Sequence, residues 1–212
     1  MAYTPFDLSN KCVLVTGGTR GIGYGMAQAL VQAGARVCIW GTSQASANAA
    51  AEALGADGRA VIAQEVDVAD EQAVIAGMRE TVARLGRVDT VFANAGISRS
   101  QTAFLEMDSE IFHKVVSVNL DGAFYTLREA GKHMAERAGN GDDSGGSLVG
   151  VASLAAIEGA ARNQHYAATK GGLVSMIRGC AVELARYGIR ANAVLPGWIA
   201  TDMTQRSKTI RS

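Results

Sequence analysis

The sequence predicts an α/β protein centred on a doubly wound parallel sheet of about six strands. Short apolar runs rich in β-branched residues alternate along the chain with longer Ala-rich helical stretches. The runs are apolar on both faces, as strands covered by helices on each side require. Crossovers between such strands are right-handed, which leaves a doubly wound sheet as the economical topology.

Each element has its own signal. Val13-Leu14-Val15 is the first strand, and Thr16-Gly17-Gly18-Thr19-Arg20-Gly21-Ile22-Gly23 is the turn into a helix at about 22–33 that Gly34 stops. Val37-Cys38-Ile39-Trp40 is the second strand, followed by a helix at about 43–54, and Ala60-Val61-Ile62 is the third. Asp70 is placed to cap a helix at about 70–85, in which Val74, Ile75, Met78, Val82 and Leu85 recur at helical spacing before Gly86 ends it. The fourth strand runs from Val88 to Phe92, and one long helix is expected at about 109–137. Residues 138–146 read as a polar, glycine-rich surface loop. Ser147 to Val151, a helix at about 165–187, and Ile189 to Leu195 complete the order, with no internal repeat.

Composition narrows the class. The 212 residues are 48% hydrophobic and 19% charged, enough for one sizeable core, and a single domain over 1–212 with a mobile tail at 204–212 is expected. With 25 glycines but only 2 prolines, the glycine excess belongs to tight turns rather than to disorder. Lys+Arg and Asp+Glu balance at 20 each, which argues against a nucleic-acid binder. Cys12, Cys38 and Cys180 are odd in number and set among apolar neighbours, so they read as reduced core thiols. His113, His133 and His165 are far apart and no metal-site spacing exists. The chain opens without a signal-peptide pattern and has no apolar run near the ~18 residues that span a bilayer, so a cytoplasmic protein with no membrane partner is expected.

The turn between the first strand and its helix carries the first chemical signal. Its glycines allow a backbone to approach a pyrophosphate, and the positive end of the following helix points at those phosphates, although an ordinary glycine-rich turn looks the same in isolation. Tyr166 and Lys170 form a second signal, because residues four apart share one helix face. Chance alone gives roughly 0.12 Tyr-x-x-x-Lys matches per chain of this composition, so placement after Ser153 and the glycine turn is what gives the pair weight.

Together these residues resemble the short-chain dehydrogenase/reductase family from about residue 8 to 203, most closely its 3-oxoacyl-carrier-protein reductases and sugar or polyol dehydrogenases. The resemblance rests on Gly-x-x-x-Gly-x-Gly at Gly17, Gly21 and Gly23, on Asp67-Val68, and on Asn94-Ala95-Gly96 with Ala93 where the family has a first Asn. It continues through Asn119 in Ser-Val-Asn-Leu, Ser153, Tyr166 to Lys170, and Pro196-Gly197 with Ile199 and Thr201. It implies a Rossmann-type fold and a hydride exchange between a nicotinamide coenzyme and a small carbonyl or alcohol. It also implies Tyr166 as general acid/base, Ser153 orienting the same oxygen, Lys170 on the nicotinamide ribose, and Asn119 holding a water that connects Lys170 to solvent; a helix-bending Asn is the plain alternative for Asn119. A Lys⁺ at ~5 Å is expected to lower the phenol by roughly two pKa units.

By the same resemblance the coenzyme is bound by Gly17, Thr19, Arg20, Gly21, Ile22 and Gly23 of the glycine turn, by Asp67 and Val68 at the adenine, and by Asn94, Ala95, Gly96, Pro196, Gly197, Ile199 and Thr201. The second strand ends at Gly41 rather than at an Asp that would accept both ribose hydroxyls. With Thr42 and Ser43 following and Arg20 in the turn, NADP(H) is favoured over NAD(H), although Arg20 is equally placed to be a surface cation. Ser98, Arg99, Leu154 and Ala155 fall near a substrate; His165 lines its mouth or is merely exposed, and Trp198 covers the nicotinamide or anchors its loop.

The family usually continues with a mobile lid, a helix and a seventh strand that this sequence does not show after Leu195. A sixth strand left as an apolar edge and a pocket without its lid make a dinucleotide-binding protein with weakened or no turnover the rival reading. The helices at 109–137 and 165–187 carry apolar residues on more than one face, including Phe112, Val116, Phe124, Met176 and Leu184, which predicts a homodimer across a two-fold axis.

Overall fold

The computed structural model describes residues 6–55, 61–98, 102–202 and 204. Ala60, Arg99 and the expected tail beyond Thr204 lie outside the described residues. Strands β1 (Cys12–Thr16), β2 (Arg36–Gly41), β3 (Val61–Glu65), β4 (Thr90–Ala93), β5 (Gly146–Val151) and β6 (Ile189–Val194) form one sheet in the order β3-β2-β1-β4-β5-β6. Every pairing is parallel. The helices are α1 (Gly21–Gln32), α2 (Gln44–Leu54), α3 (Glu71–Leu85), α4 (Ser109–Val116), α5 (Gly122–Gly139), α6 (Ala155–Glu158) and α7 (Gln164–Glu183).

Alternation along the strands builds two cores. Val13, Val15, Val37 and Ile39 pack with Ala27 and Val31 of α1 and with Ala50 and Leu54 of α2. Cys12, Leu14, Cys38 and Trp40, one residue out of phase, join Val74 and Met78 of α3, Leu127 of α5, and Leu173 and Ile177 of α7. The chain changes face between β3 and β4, so β1 and β4 are neighbours whose crossovers diverge. That divergence opens a crevice at the carboxyl ends of the strands.

The predicted stops behave as expected: Gly34 and Gly86 take positive φ (95° and 82°), and the Asp70 carboxylate accepts the Gln72 and Ala73 N–H groups at 2.8 and 3.2 Å. Several boundaries differ, three of them by more than a fraying end. The helix expected over 109–137 is broken by a π-helical turn at Ser117–Asp121 between α4 and α5. The loop expected at 138–146 is shorter, because α5 runs through Gly139 and β5 already begins at Gly146. Strand β4 starts at Thr90 rather than Val88, because the Val88 N–H turns away from the ladder to donate to His133 Nε2 at 3.1 Å. Among the described residues no helix is long and apolar enough to cross a membrane.

Candidate active site

Ser153 lies two residues beyond β5, where its Oγ accepts the Ala155 N–H at 3.2 Å and opens the short helix α6. Tyr166 stands in the first turn of α7, where the Ser153 hydroxyl is close enough to favour its ionised form. One turn further on, Lys170 is only 4% exposed and donates from Nζ to the Val151 carbonyl at 2.7 Å. Its ammonium sits 5.6 Å from the centre of the Tyr166 ring.

The electrostatics depart from expectation. Burial raises the Tyr166 phenol above its ordinary 10.0, and the Ser153 hydroxyl opposes that rise. The expected lowering by Lys170 is not seen. The lysine is itself a desolvated cation, pushed down from 10.5 to about 8 by burial, and its hydrogen bond goes to a carbonyl.

Asn119 is fully buried within the π-helical turn. Its Oδ1 accepts the Ile97 N–H at 2.8 Å, while Nδ2 donates to the Ile97 carbonyl at 2.9 Å and to Thr169 Oγ1 at 3.3 Å. The side chain therefore ties the segment after β4 to both α7 and the widened turn, so the helix distortion and the positioning role coincide. Gly96 keeps this junction open: a Cβ there would lie 3.3 Å from Asn119 Oδ1 and 3.5 Å from Lys170 Nζ.

The glycine turn is held as tightly. Gly17 and Gly21 adopt positive φ of 63° and 56°. A Cβ on Gly23 would collide with the Gly17 carbonyl and the Asn94 amide. Asn94 Nδ2 donates to the Thr16 and Gly17 carbonyls at 2.9 and 3.2 Å, so its amide fixes the turn itself. Thr16 Oγ1 accepts the Asn94 and Ala95 N–H groups, both at 3.0 Å, a structural role that the motif alone did not reveal. Helix α1 begins behind Arg20 with no side-chain cap and no acidic residue in its first turn, which leaves its positive end open to an anion. A cleft of about 410 Å³ is lined by Gly21, Ile22 and Gly25 on one side and by Val194, Pro196, Ile199, Ala200 and Thr201 on the other. The Pro196 carbonyl accepts the Leu154 N–H at 3.1 Å and so joins this loop to the Ser153 segment. These features fit an extended dinucleotide diphosphate.

The remaining positions divide. Asp67 is exposed and its carboxylate accepts the Ala69 N–H at 3.0 Å, while Val68 is buried under Gly122. Thr42 is exposed beside Gly41, and a Cβ on Gly41 would lie 2.6 Å from the Thr19 methyl. Ser98 is linked to Asn163, whose Nδ2 donates to Ser98 Oγ at 3.0 Å, a partner that motif spacing did not single out. Leu154 is partly exposed, Gly197 approaches it, and Trp198 is 78% exposed and not among the residues that line the cleft.

His165 contradicts both of its expected roles, because it is fully buried. Among the described residues neither ring nitrogen has a hydrogen-bond partner, and burial lowers its pKa against the opposing influence of the nearby Asn163 carbonyl. The first turn of α7 presents Tyr166 to the crevice and turns His165 inward.

The sequence profile of the short chain dehydrogenase family matches residues 11–211. An L-rhamnose 1-dehydrogenase (NAD(P)(+)) from Azotobacter vinelandii is 40% identical, covering 93% of this chain and 77% of the relative. A 3-oxoacyl-[acyl-carrier-protein] reductase from Chlamydia pneumoniae is 34% identical, covering 93% and 77%. The crystal structure of a 3-ketoacyl-(acyl-carrier-protein) reductase from Brucella melitensis complexed with NADH superposes with a TM-score of 0.87 at 31% identity, covering 93% of this chain and 80% of that one.

Proposed function

The chain belongs to the short-chain dehydrogenase/reductase family, and from that premise we propose that it interconverts a small carbonyl compound and its secondary alcohol with NADP(H) in preference to NAD(H). The observation that carries this reading is the buried Lys170 ammonium 5.6 Å from the Tyr166 ring, one helical turn away, with the Ser153 hydroxyl acting on the same phenol. The coenzyme, when bound, supplies or accepts the hydride.

The chain's own residues handle the proton. In reduction Tyr166 Oη gives its proton to the substrate oxygen, and in oxidation it takes one back. Ser153 Oγ donates to the same oxygen and holds it in line, stabilising the charge that gathers there. Lys170 lies close to neutrality at about 8, so it holds or releases a proton at small cost behind the phenol. Asn119 positions that end of the proton path through Ile97 and Thr169. On the coenzyme side Gly41 places no carboxylate at the second strand's end, and Arg20 with Thr42 offers donors to a 2′-phosphate. The A. vinelandii relative's name admits both coenzymes, and its sugar substrate and the acyl-carrier reductases' ketones share the carbonyl/alcohol pair proposed here.

A single domain, a cytoplasmic location and a homodimer complete the proposal. Phe112 and Phe124 remain partly exposed on α4 and α5, and Val182 on α7 is 82% exposed, which supports a second apolar contact on this side. The deciding experiment is turnover of a panel of ketones followed at the reduced-nicotinamide absorbance, with NADH and NADPH in parallel. Coenzyme binding without turnover of any ketone or alcohol would favour the dinucleotide-binding reading instead. Light scattering at micromolar concentration tests the dimer, and a mass near 22.0 kDa would refute it.

A further inference from the structure

We propose that Glu65, at the end of β3, sets coenzyme selectivity by holding a carboxylate at the corner where a 2′-phosphate would sit; this rests on the dinucleotide reading of the crevice. Glu65 is the register partner of Gly41, so the two end side by side on neighbouring strands. The Thr19 methyl sits against Gly41, which brings the glycine turn to the same corner. An acidic group accepting ribose hydroxyls belongs at the end of the second strand. Here that strand ends in a residue without a side chain, and the adjacent strand supplies the carboxylate instead.

That carboxylate is fixed in place. Glu65 Oε2 accepts the Gln44 N–H at 2.8 Å, and Gln44 Oε1 accepts the Glu65 N–H at 3.1 Å. Gln44 is itself steadied by donating from Nε2 to Asn48 Oδ1 at 2.7 Å. Ser43, the residue before α2, makes no side-chain cap, so Glu65 caps this helix across the strand boundary. A negative charge therefore occupies the positive end of α2, next to Thr42 and Ser43. A 2′-phosphate arriving there gains Arg20 and the hydroxyls but meets Glu65; the NAD ribose meets no such repulsion. Glu65 holds the preference for NADP(H) below what Arg20, Thr42 and Gly41 would otherwise produce, and keeps NAD(H) usable.

The test is a charge series at this position read by coenzyme binding. Glu65→Gln preserves an oxygen acceptor for the Gln44 N–H while removing the charge, and Gly41 is a poorer handle because a side chain there meets Thr19. Dissociation constants for NADP⁺ and NAD⁺ are measured by titration calorimetry on the parent, Glu65→Gln and Glu65→Lys. The ratio favouring NADP⁺ should rise about tenfold in Glu65→Gln and about a hundredfold in Glu65→Lys, with NAD⁺ binding changed less than about threefold. The gain should shrink as salt is raised from low ionic strength to about 0.5 M. Coenzyme binding with an unchanged ratio across the series overturns this inference alone. A parent chain that binds neither coenzyme overturns the dinucleotide reading and takes this inference with it.

Discussion

Two buried charges mark opposite ends of the sheet, and they are treated differently. Asp89, 5% exposed, precedes β4 at the amino end. Its Oδ2 accepts the Cys12 N–H at 2.8 Å, and Arg87 and Arg137 flank its Oδ1 as ion pairs, neither with the alignment of a hydrogen bond. Lys170, 4% exposed at the carboxyl end, has no carboxylate against it among the described residues; its ammonium donates to the Val151 carbonyl. A surrounded charge holds strands together, whereas a charge kept dry without a counter-ion is a cost to folding that chemistry explains. The amino end is thus read as a staple and the carboxyl end as a working site.

The largest expected effect tests the working end. Tyr166→Phe removes only the ionisable oxygen and should lower turnover about a thousandfold while coenzyme binding stays within about threefold. Steady-state rates with the best ketone of the panel check it. Retention of more than about a tenth of parent turnover would remove Tyr166 from the proton path.

Next in size is the staple. Asp89→Ala leaves the Cys12 N–H without its acceptor and two guanidinium groups without their buried counter-charge, and should cost about 3 kcal/mol of stability. Urea unfolding reads the loss, and the coenzyme affinity of the folded fraction should be unchanged. A variant as stable as the parent would mean that the ion pairs hold nothing.

The contrast between the ends also explains what is legible in the sequence. The turn at Gly17 to Gly23 and the Ser153, Tyr166, Lys170 set can be read because local spacing governs them: glycines at fixed offsets, and one helical turn between phenol and ammonium. The π-helical turn around Asn119 cannot, since what stabilises it is the pair of bonds to Ile97 on another element. His165 looks like an exposed neighbour of Tyr166 until the packing of α7 shows which way its first turn faces. The Gly41–Glu65 pairing depends on the register between β2 and β3, which hydrophobic pattern leaves open by whole residues. The depressed Lys170 and raised Tyr166 are likewise products of burial, which spacing does not report.

Lys170→Met sharpens the comparison from the opposite direction, because removing the uncompensated charge should abolish turnover yet stabilise the fold. Lys170 is held at about 8 against an ordinary 10.5. Between those pH values the unfolded chain carries a proton that the folded chain has released, so parent stability rises with pH across that window. The cost is fully present below pH 8, and the methionine variant escapes it. It should gain about 2 kcal/mol at pH 7 and lose most of that advantage by about pH 10.5. Paired urea curves at the two pH values check the trend, and a variant less stable than the parent at both would show that the Val151 hydrogen bond outweighs desolvation.

The smallest effect lies back at the amino end, where His133 accepts the Val88 N–H through Nε2 at 3.1 Å. Only the neutral ring accepts there, and protonation replaces the acceptor with a donor. Burial, aided by Arg137 and Arg87 against Glu136 and Asp89, lowers its pKa below the usual 6.5. Because the folded value is the lower one, the stabilisation is complete above about pH 6.5 and is lost as pH falls through the folded pKa. His133→Phe keeps a flat ring but no acceptor, and should cost about 1 kcal/mol at pH 7.5. The parent loses its advantage on acidification while the variant has no such group to protonate, so their thermal midpoints should converge toward about pH 5. A gap that stays constant from pH 7.5 to 5 would place His133 among inert packing residues and leave Asp89 with its arginines as the whole of the staple.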